Sequence, residues 1–213
     1  MRFRSLKTLT QPAVEPVTLA EAKSHCRVDT STDDAYISSL ITAAREWCEA
    51  YCDETFIHTQ YRMTLDSFPR EIELPRPPMA SSGTVTAVSI TYTIETQATA
   101  TLATSQYRVD RDATPGVIRT LYNGSWPSHL LDYNAVSVTW WGGKGADGSA
   151  VEQRIKNAIL WLVGMWYERR MAADAVNLSE IPFGVKALLD SAKWGATSEH
   201  PRSHRRRCAV CRR

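Results

Sequence analysis

No apolar run in this chain approaches the roughly 20 residues that a membrane-spanning helix requires, so no helical membrane anchor is expected. Met1-Arg-Phe-Arg-Ser-Leu-Lys7 leads into threonine and glutamine rather than into a signal-peptide core, and the reading is a soluble protein made in the cytosol. Cysteine is scarce and its count, five, is odd. Cys48 and Cys52 stand one helical turn apart, and Cys26, Cys208 and Cys211 follow no regular framework. This excludes a disulfide scaffold and favours reduced thiols.

Catalytic signatures are missing too. There is no Walker lysine loop and no nucleophile elbow, and Gly142-Gly-Lys-Gly145 lacks the hydroxyl residue and flanking order of a phosphate cradle. His25 and Cys26 are adjacent on one helical stretch, so they point to different faces and form no catalytic pair. Asp33-Asp34 is explained by helix capping and the N-terminal dipole rather than by a metal. No internal repeat is present. The expectation is a protein that is not an enzyme and carries no cofactor and no metal.

What is there begins with length and charge. At 213 residues, 43% of them hydrophobic, the chain can bury one sizeable core with room for an appendage. Its net charge of +2 hides an asymmetry: from Ala196 onward there are six arginines and one acid, Glu199, which leaves 19 basic and 22 acidic residues in the rest. The tail is a basic arm of the kind that seeks an acidic partner or nucleic acid. Within it His200, His204, Cys208 and Cys211 have zinc-ligand spacing. The surrounding arginines and the lack of an apolar shield other than Val210 argue against a metal there.

Periodicity divides the remainder. Thr18 with Glu21 forms a capping box for a short helix through about Cys26. Asp33 then caps a longer helix whose apolar face is Ile37, Leu40, Ile41, Ala44, Trp47, Cys48 and Tyr51. From Gln60 the period falls to two: Tyr61–Leu65, Ile72–Leu74, Val85–Ile94, Tyr107–Asp110, Val117–Leu121 and Val136–Trp140 read as strands, with Thr96–Thr104 as a hairpin loop or exposed edge. Gly142, Gly143 and Gly145 supply positive φ for the exit from the sheet. Ser149 with Glu152 reads as a capping box for a helix with Val151, Ile155, Ile159, Leu162, Val163 and Trp166 on one face. After a connector, Pro182 opens a last helix with Val185, Leu188, Leu189 and Trp194 as its apolar residues, ended by Gly195.

The fold class expected is α+β: a helical bundle formed by N- and C-terminal helices, with an inserted antiparallel β subdomain and a basic C-terminal arm. The corresponding divisions are 1–59 and 146–195 for the two helical parts of the core, 60–145 for the β-rich insertion and 196–213 for the arm.

Six segments in this order carry a resemblance: Pro16-Val-Thr-Leu-Ala-Glu-Ala-Lys23, Ile72-Glu-Leu-Pro-Arg-Pro-Pro78, Tyr107-Arg-Val-Asp110, Trp126-Pro127, Val136-Ser-Val-Thr-Trp-Trp-Gly-Gly143, and Ile155-Lys-Asn-Ala-Ile159 with Trp166-Tyr-Glu-Arg-Arg170. Over about residues 14 to 194 the chain resembles the tailed-bacteriophage head-tail connector family, also called adaptor or head-completion proteins. The resemblance implies a structural protein of the virion neck, assembled in the host cytoplasm. It further implies a closed ring, commonly of twelve copies, beneath the portal, joined to stopper or tail proteins, with DNA passing through its channel without sequence recognition.

The arm departs from the family pattern. Its Arg202, Arg205, Arg206, Arg207, Cys208, Val210, Arg212 and Arg213 are candidates for docking on the portal, through guanidinium–carboxylate pairs and strand addition. Trp126, Trp140 and Trp141 are candidate subunit-interface residues, since aromatics dominate buried contact energy. The alternative function is non-sequence-specific nucleic-acid binding through the arginine-rich arm.

Overall fold

A computed structural model describes residues 3–80, 87–129, 132–169 and 183–193. Helices come first and last among the long elements. α1 (Leu19–Cys26) opens on the capping box: Thr18 Oγ1 accepts from the Glu21 amide at 3.2 Å, and the Thr18 amide donates to Glu21 Oε2 at 2.7 Å. α2 (Asp34–Cys52) turns Ile37, Ile41, Ala44, Cys48 and Cys52 inward. α3 (Gln153–Glu168) buries Ile155, Ala158, Ile159, Leu162 and Val163, and α4 (Phe183–Ala192) buries Val185, Leu189 and Ala192. These faces, with Val17, Ala22, Phe56, Ile57 and Val151, form one continuous apolar core.

The middle of the chain forms two antiparallel sheets. The larger, in the order β1-β2-β8-β4-β5, contains β1 (Ser5–Thr10), β2 (Thr59–Leu65), β8 (Val136–Gly142), β4 (Ser89–Thr93) and β5 (Thr99–Thr101). The smaller has the order β3-β7-β6, from β3 (Ile72–Leu74), β7 (Gly116–Thr120) and β6 (Tyr107–Asp110). Alternation explains the packing: β2 and β8 send Tyr61, Met63, Leu65, Val136, Val138 and Trp140 to one side. There they meet Ile72 and Leu74 of β3, Ile118 of β7 and Tyr107 of β6 in a second core. The result is a small sandwich beside the helices, in agreement with an α+β architecture.

Four local expectations change. Residues 5–10, grouped by sequence with the helical part, form the edge strand β1, because Ser5–Thr8 pairs with Thr64–Tyr61. Ser149 does not cap α3: it lies in a short 3-10 turn whose amide is held by Asp147 Oδ1 at 2.8 Å, and the helix starts four residues later. Of the three glycines leaving β8 only Gly143 has a positive φ, +130°. Gly142 and Gly145 are required by proximity instead, since a Cβ would stand 2.9 Å from Arg76 O and 2.2 Å from Ala150 Cβ respectively. Finally, Thr96–Thr104 takes the edge alternative, with β5 as the outermost strand, but it is not exposed throughout. Thr99–Thr101 pairs with β4, and Leu102 is buried with its amide donating to Ile90 O at 2.8 Å.

Candidate functional site

The same alternation that fills the sandwich leaves the opposite face of the large sheet without a covering layer among the described residues. Register sets its rows. Ser5, Thr64, Ser137, Thr91 and Thr101 are aligned across the strands, and beside them run Lys7, Arg62, Thr139 and Ser89, followed by Gln60 and Trp141. Ser5, Lys7, Arg62, Thr64, Asn134 and Ser137 line a shallow depression of about 330 Å³. Its floor is tied by Ser5 Oγ to Thr64 Oγ1 at 2.9 Å and by Thr64 Oγ1 donating to Asn134 Oδ1 at 2.8 Å. Lys7 and Arg62 sit directly opposite one another. Like charges so placed destabilise a strand pair, and among the described residues neither has an anionic partner.

A second arrangement fixes this sheet to the helices. Arg45, almost fully buried on α2, donates to Glu15 and Glu49, each at 2.8 Å. The other oxygen of Glu49 accepts the Phe56 amide at 2.8 Å, and Arg76 Nη1 donates to Glu49 O at 3.3 Å. Burial pushes the Glu49 carboxyl up, against the pull of the Phe56 amide and Arg45. Backbone bonds complete the joint: Thr55 N to Pro77 O at 2.8 Å, His58 N to Gly145 O at 2.9 Å and Lys144 N to Phe56 O at 3.0 Å. Lys144 Nζ lies 3.1 Å from Glu54 and 3.4 Å from Glu152. Nearby, burial raises the Cys48 thiol to about 12 and the Cys52 thiol to about 11, values of inert core cysteines.

The sequence candidates fall in different places. Trp140 is fully buried in the sandwich core against Tyr61, with ring centroids 5.8 Å apart, which removes it as a subunit-contact residue. An alternating strand has two faces, and residue 140 shares the inner one with Val136 and Val138. Trp141 takes the outer face and is half-buried beside the rows just described. Trp126 stacks on Phe68 at 4.8 Å, and Phe68 also meets Tyr92 and His129 edge-on, so Trp126 anchors the β7–β8 loop to the β2–β3 loop while part of it stays accessible. The arm residues, from Arg202 to Arg213, and the possible zinc ligands His200, His204, Cys208 and Cys211 lie outside the described residues. Among the described residues no group of three or more potential metal ligands occurs.

Lys7 and Arg62 were not singled out in the sequence. The signal for Arg62 was present in its alternation with Tyr61 and Met63. Lys7 had none, because only pairing with β2 reveals residues 5–10 as a strand.

The sandwich is joined to the helical layer by backbone hydrogen bonds and the ion pairs of Lys144, and among the described residues it presents one polar sheet face. A family model described as phage gp6-like head-tail connector protein matches residues 16–108. No curated protein matches the chain. Among solved structures, a chain in the neck of an empty gene transfer agent (GTA) particle with C6 symmetry is similar at a TM-score of 0.70 and 23% identity, over 88% of this chain and 94% of that one. A chain of the native GTA virion gives 0.69 and 22%, over 88% and 94%. A chain in the native GTA neck with C12 symmetry gives 0.61 and 21%, over 87% and 93%. At these identities the likeness shows a shared fold over most of the chain. None of these findings supports the nucleic-acid-binding alternative.

Proposed function

We propose that the protein forms a homo-oligomeric ring in the neck of a tailed phage or phage-like particle, beneath the portal and above the stopper or tail, around the channel through which DNA passes. The observation that carries this reading is the connector match over residues 16–108 together with a fold shared with chains of GTA necks with six- and twelve-fold symmetry. Twelve copies is the expected number. A ring needs two different faces that mate head to tail and close, and a sandwich beside a helical layer offers them. In this proposal residues 11–59 and 146–195 act as the helical body, 60–145 together with strand β1 as the β part and 196–213 as an arm docking on the portal.

The arm is proposed to pair Arg202, Arg205, Arg206, Arg207, Arg212 and Arg213 with portal carboxylates, while Cys208-Ala-Val-Cys211 adds a short strand. Truncation after Gly195 tests it. The expected result is a folded protein that attaches weakly to portal-bearing capsids, which then package DNA and leak it. Undiminished attachment would refute arm docking. The mass of the protein in solution, alone and with portal, tests the ring.

A further inference from the structure

Charge is distributed unevenly over the body of this protein. Residues 11–59, which hold α1 and α2, carry nine acidic and three basic side chains, whereas residues 1–10 carry three basic and no acidic ones. On α2 the outward line runs through Tyr36, Ser39, Ala43, Glu46 and Ala50 and is followed by the C-cap residue Asp53, all exposed. Glu46 and Asp53 are seven residues apart, about 10 Å along the helix axis, with Asp53 at the C-cap of α2, where its φ is +56°. Their intramolecular pairings are long, 3.7 Å to Arg45 and 3.9 Å to Arg76, and Asp53 is 81% exposed at the side chain. Between them lies only Ala50 on that line, so another surface can approach closely.

The outer face of the large sheet is the complement: shallowly hollowed, rich in hydroxyls, edged by half-buried Trp141, and bearing Lys7 and Arg62 side by side without an anion among the described residues. Holding two cations opposite one another costs free energy in the isolated subunit. A carboxylate from outside would turn that cost into attraction.

We propose that this sheet face docks on the outward face of α2 of a second copy, Lys7 and Arg62 receiving Glu46 and Asp53, and that this is a head-to-tail contact of the ring. The inference rests on the ring proposed above. The two faces are different patches of one molecule, as a heterologous, closing interface requires, and complementary charge fixes its register and suppresses wrong pairings. Trp141 provides the aromatic anchor at its margin. The backbone of DNA is the less favoured occupant. Phosphate tracking relies on a stripe of cations, and this face presents two among hydroxyls and a tryptophan.

The test uses full-length chains and native mass spectrometry at low salt, with circular dichroism melts to establish folding. One variant carries Lys7→Glu and Arg62→Glu. Another carries Glu46→Lys and Asp53→Asn, asparagine being chosen because residue 53 has φ of +56° and Asn tolerates that conformation. Each variant should lose the ring mass that the wild type shows. The chain carrying all four changes should regain part of it, because the cation introduced at position 46 attracts the carboxylates introduced at 7 and 62, while position 53 is neutral. Rings formed by both two-site variants as readily as by wild type would overturn the docking and leave the ring itself standing. A wild-type chain that stays monomeric at every concentration, alone and with portal, would remove both. If the Lys7→Glu, Arg62→Glu chain kept its ring but lost affinity for duplex DNA in fluorescence anisotropy, the face would belong to the channel and the proposal would be wrong.

Discussion

Arg45 Nη1 donates to Glu49 Oε2 at 2.8 Å one turn along α2, and the remaining oxygen of Glu49 holds the Phe56 amide at the same distance. This pair therefore holds the chain leaving α2 against the end of its own helix rather than decorating a surface. Removing one partner of a buried ion pair leaves the other uncompensated, at a cost of about 3–5 kcal/mol. We expect Arg45→Ala to lower the thermal midpoint by many degrees. Glu46→Ala, one residue on and exposed, should change it little.

The buried face of α3 gives a sharp contrast. Ile159 is fully buried, so Ile159→Asp places a carboxylate in the helical core at a cost of several kcal/mol. Arg154, which reaches Glu152 and donates to Ser191 O on α4, is exposed, and Arg154→Asp should cost no more than about 1 kcal/mol. Denaturant titration of the two variants checks the assignment; equal losses would contradict it.

Leu102 overturns the tolerance to deletion that the polar sequence around it suggests. Its side chain belongs to the sandwich core and its amide to the β4 ladder. Leu102→Ala should destabilise by about 2–4 kcal/mol, and excision of residues 97–103 should leave a protein that melts early. A wild-type melting curve after that excision would show the segment to be dispensable.

The capping box of α1 makes part of the stability acid-sensitive. Hydrogen bonds from the Thr18 amide and hydroxyl hold the Glu21 carboxyl below its ordinary value. A carboxylate depressed in the folded state contributes stability that is present above its unfolded pKa, about 4.5, and is lost as pH falls through the folded value. Glu21→Ala should cost up to about 1 kcal/mol at neutral pH and should lose most of that difference in strongly acid solution, where the wild-type carboxyl is protonated. Melts of both chains from pH 7 down to about pH 3 measure the convergence.

Gly143 is the one glycine leaving β8 that requires its backbone freedom. Its φ is +130°, and a Cβ there would lie 2.7 Å from His58 N. Gly143→Ala should damage the joint between sheet and helices, visible as a loss of several degrees in the thermal midpoint, whereas Gly124→Ala in the exposed β7–β8 loop should be mild. In Gly124 a Cβ meets nothing nearer than 3.1 Å.

Much of this protein is determined by sequence alone, because the signals are local. The 3.6-residue spacing of Ile155, Ile159, Leu162 and Val163 and the two-residue spacing of Tyr61, Met63 and Leu65 each record which side is buried, and both faces are found where spacing puts them. The Thr18–Glu21 cap is equally local. Order along the chain carried the connector resemblance. Tertiary structure alone decided the rest. Leu6 and Lys7 show no strand until β2 supplies hydrogen-bond partners, and Leu102 is buried only because β4 and the small sheet enclose it. The choice between Trp140 and Trp141 is likewise one of register, fixed by pairing with Tyr61 and Gln60. The outer face that brings Lys7 against Arg62 joins residues 55 positions apart. Periodicity reports a residue's own element, whereas a surface is made by the partners that sheet pairing selects.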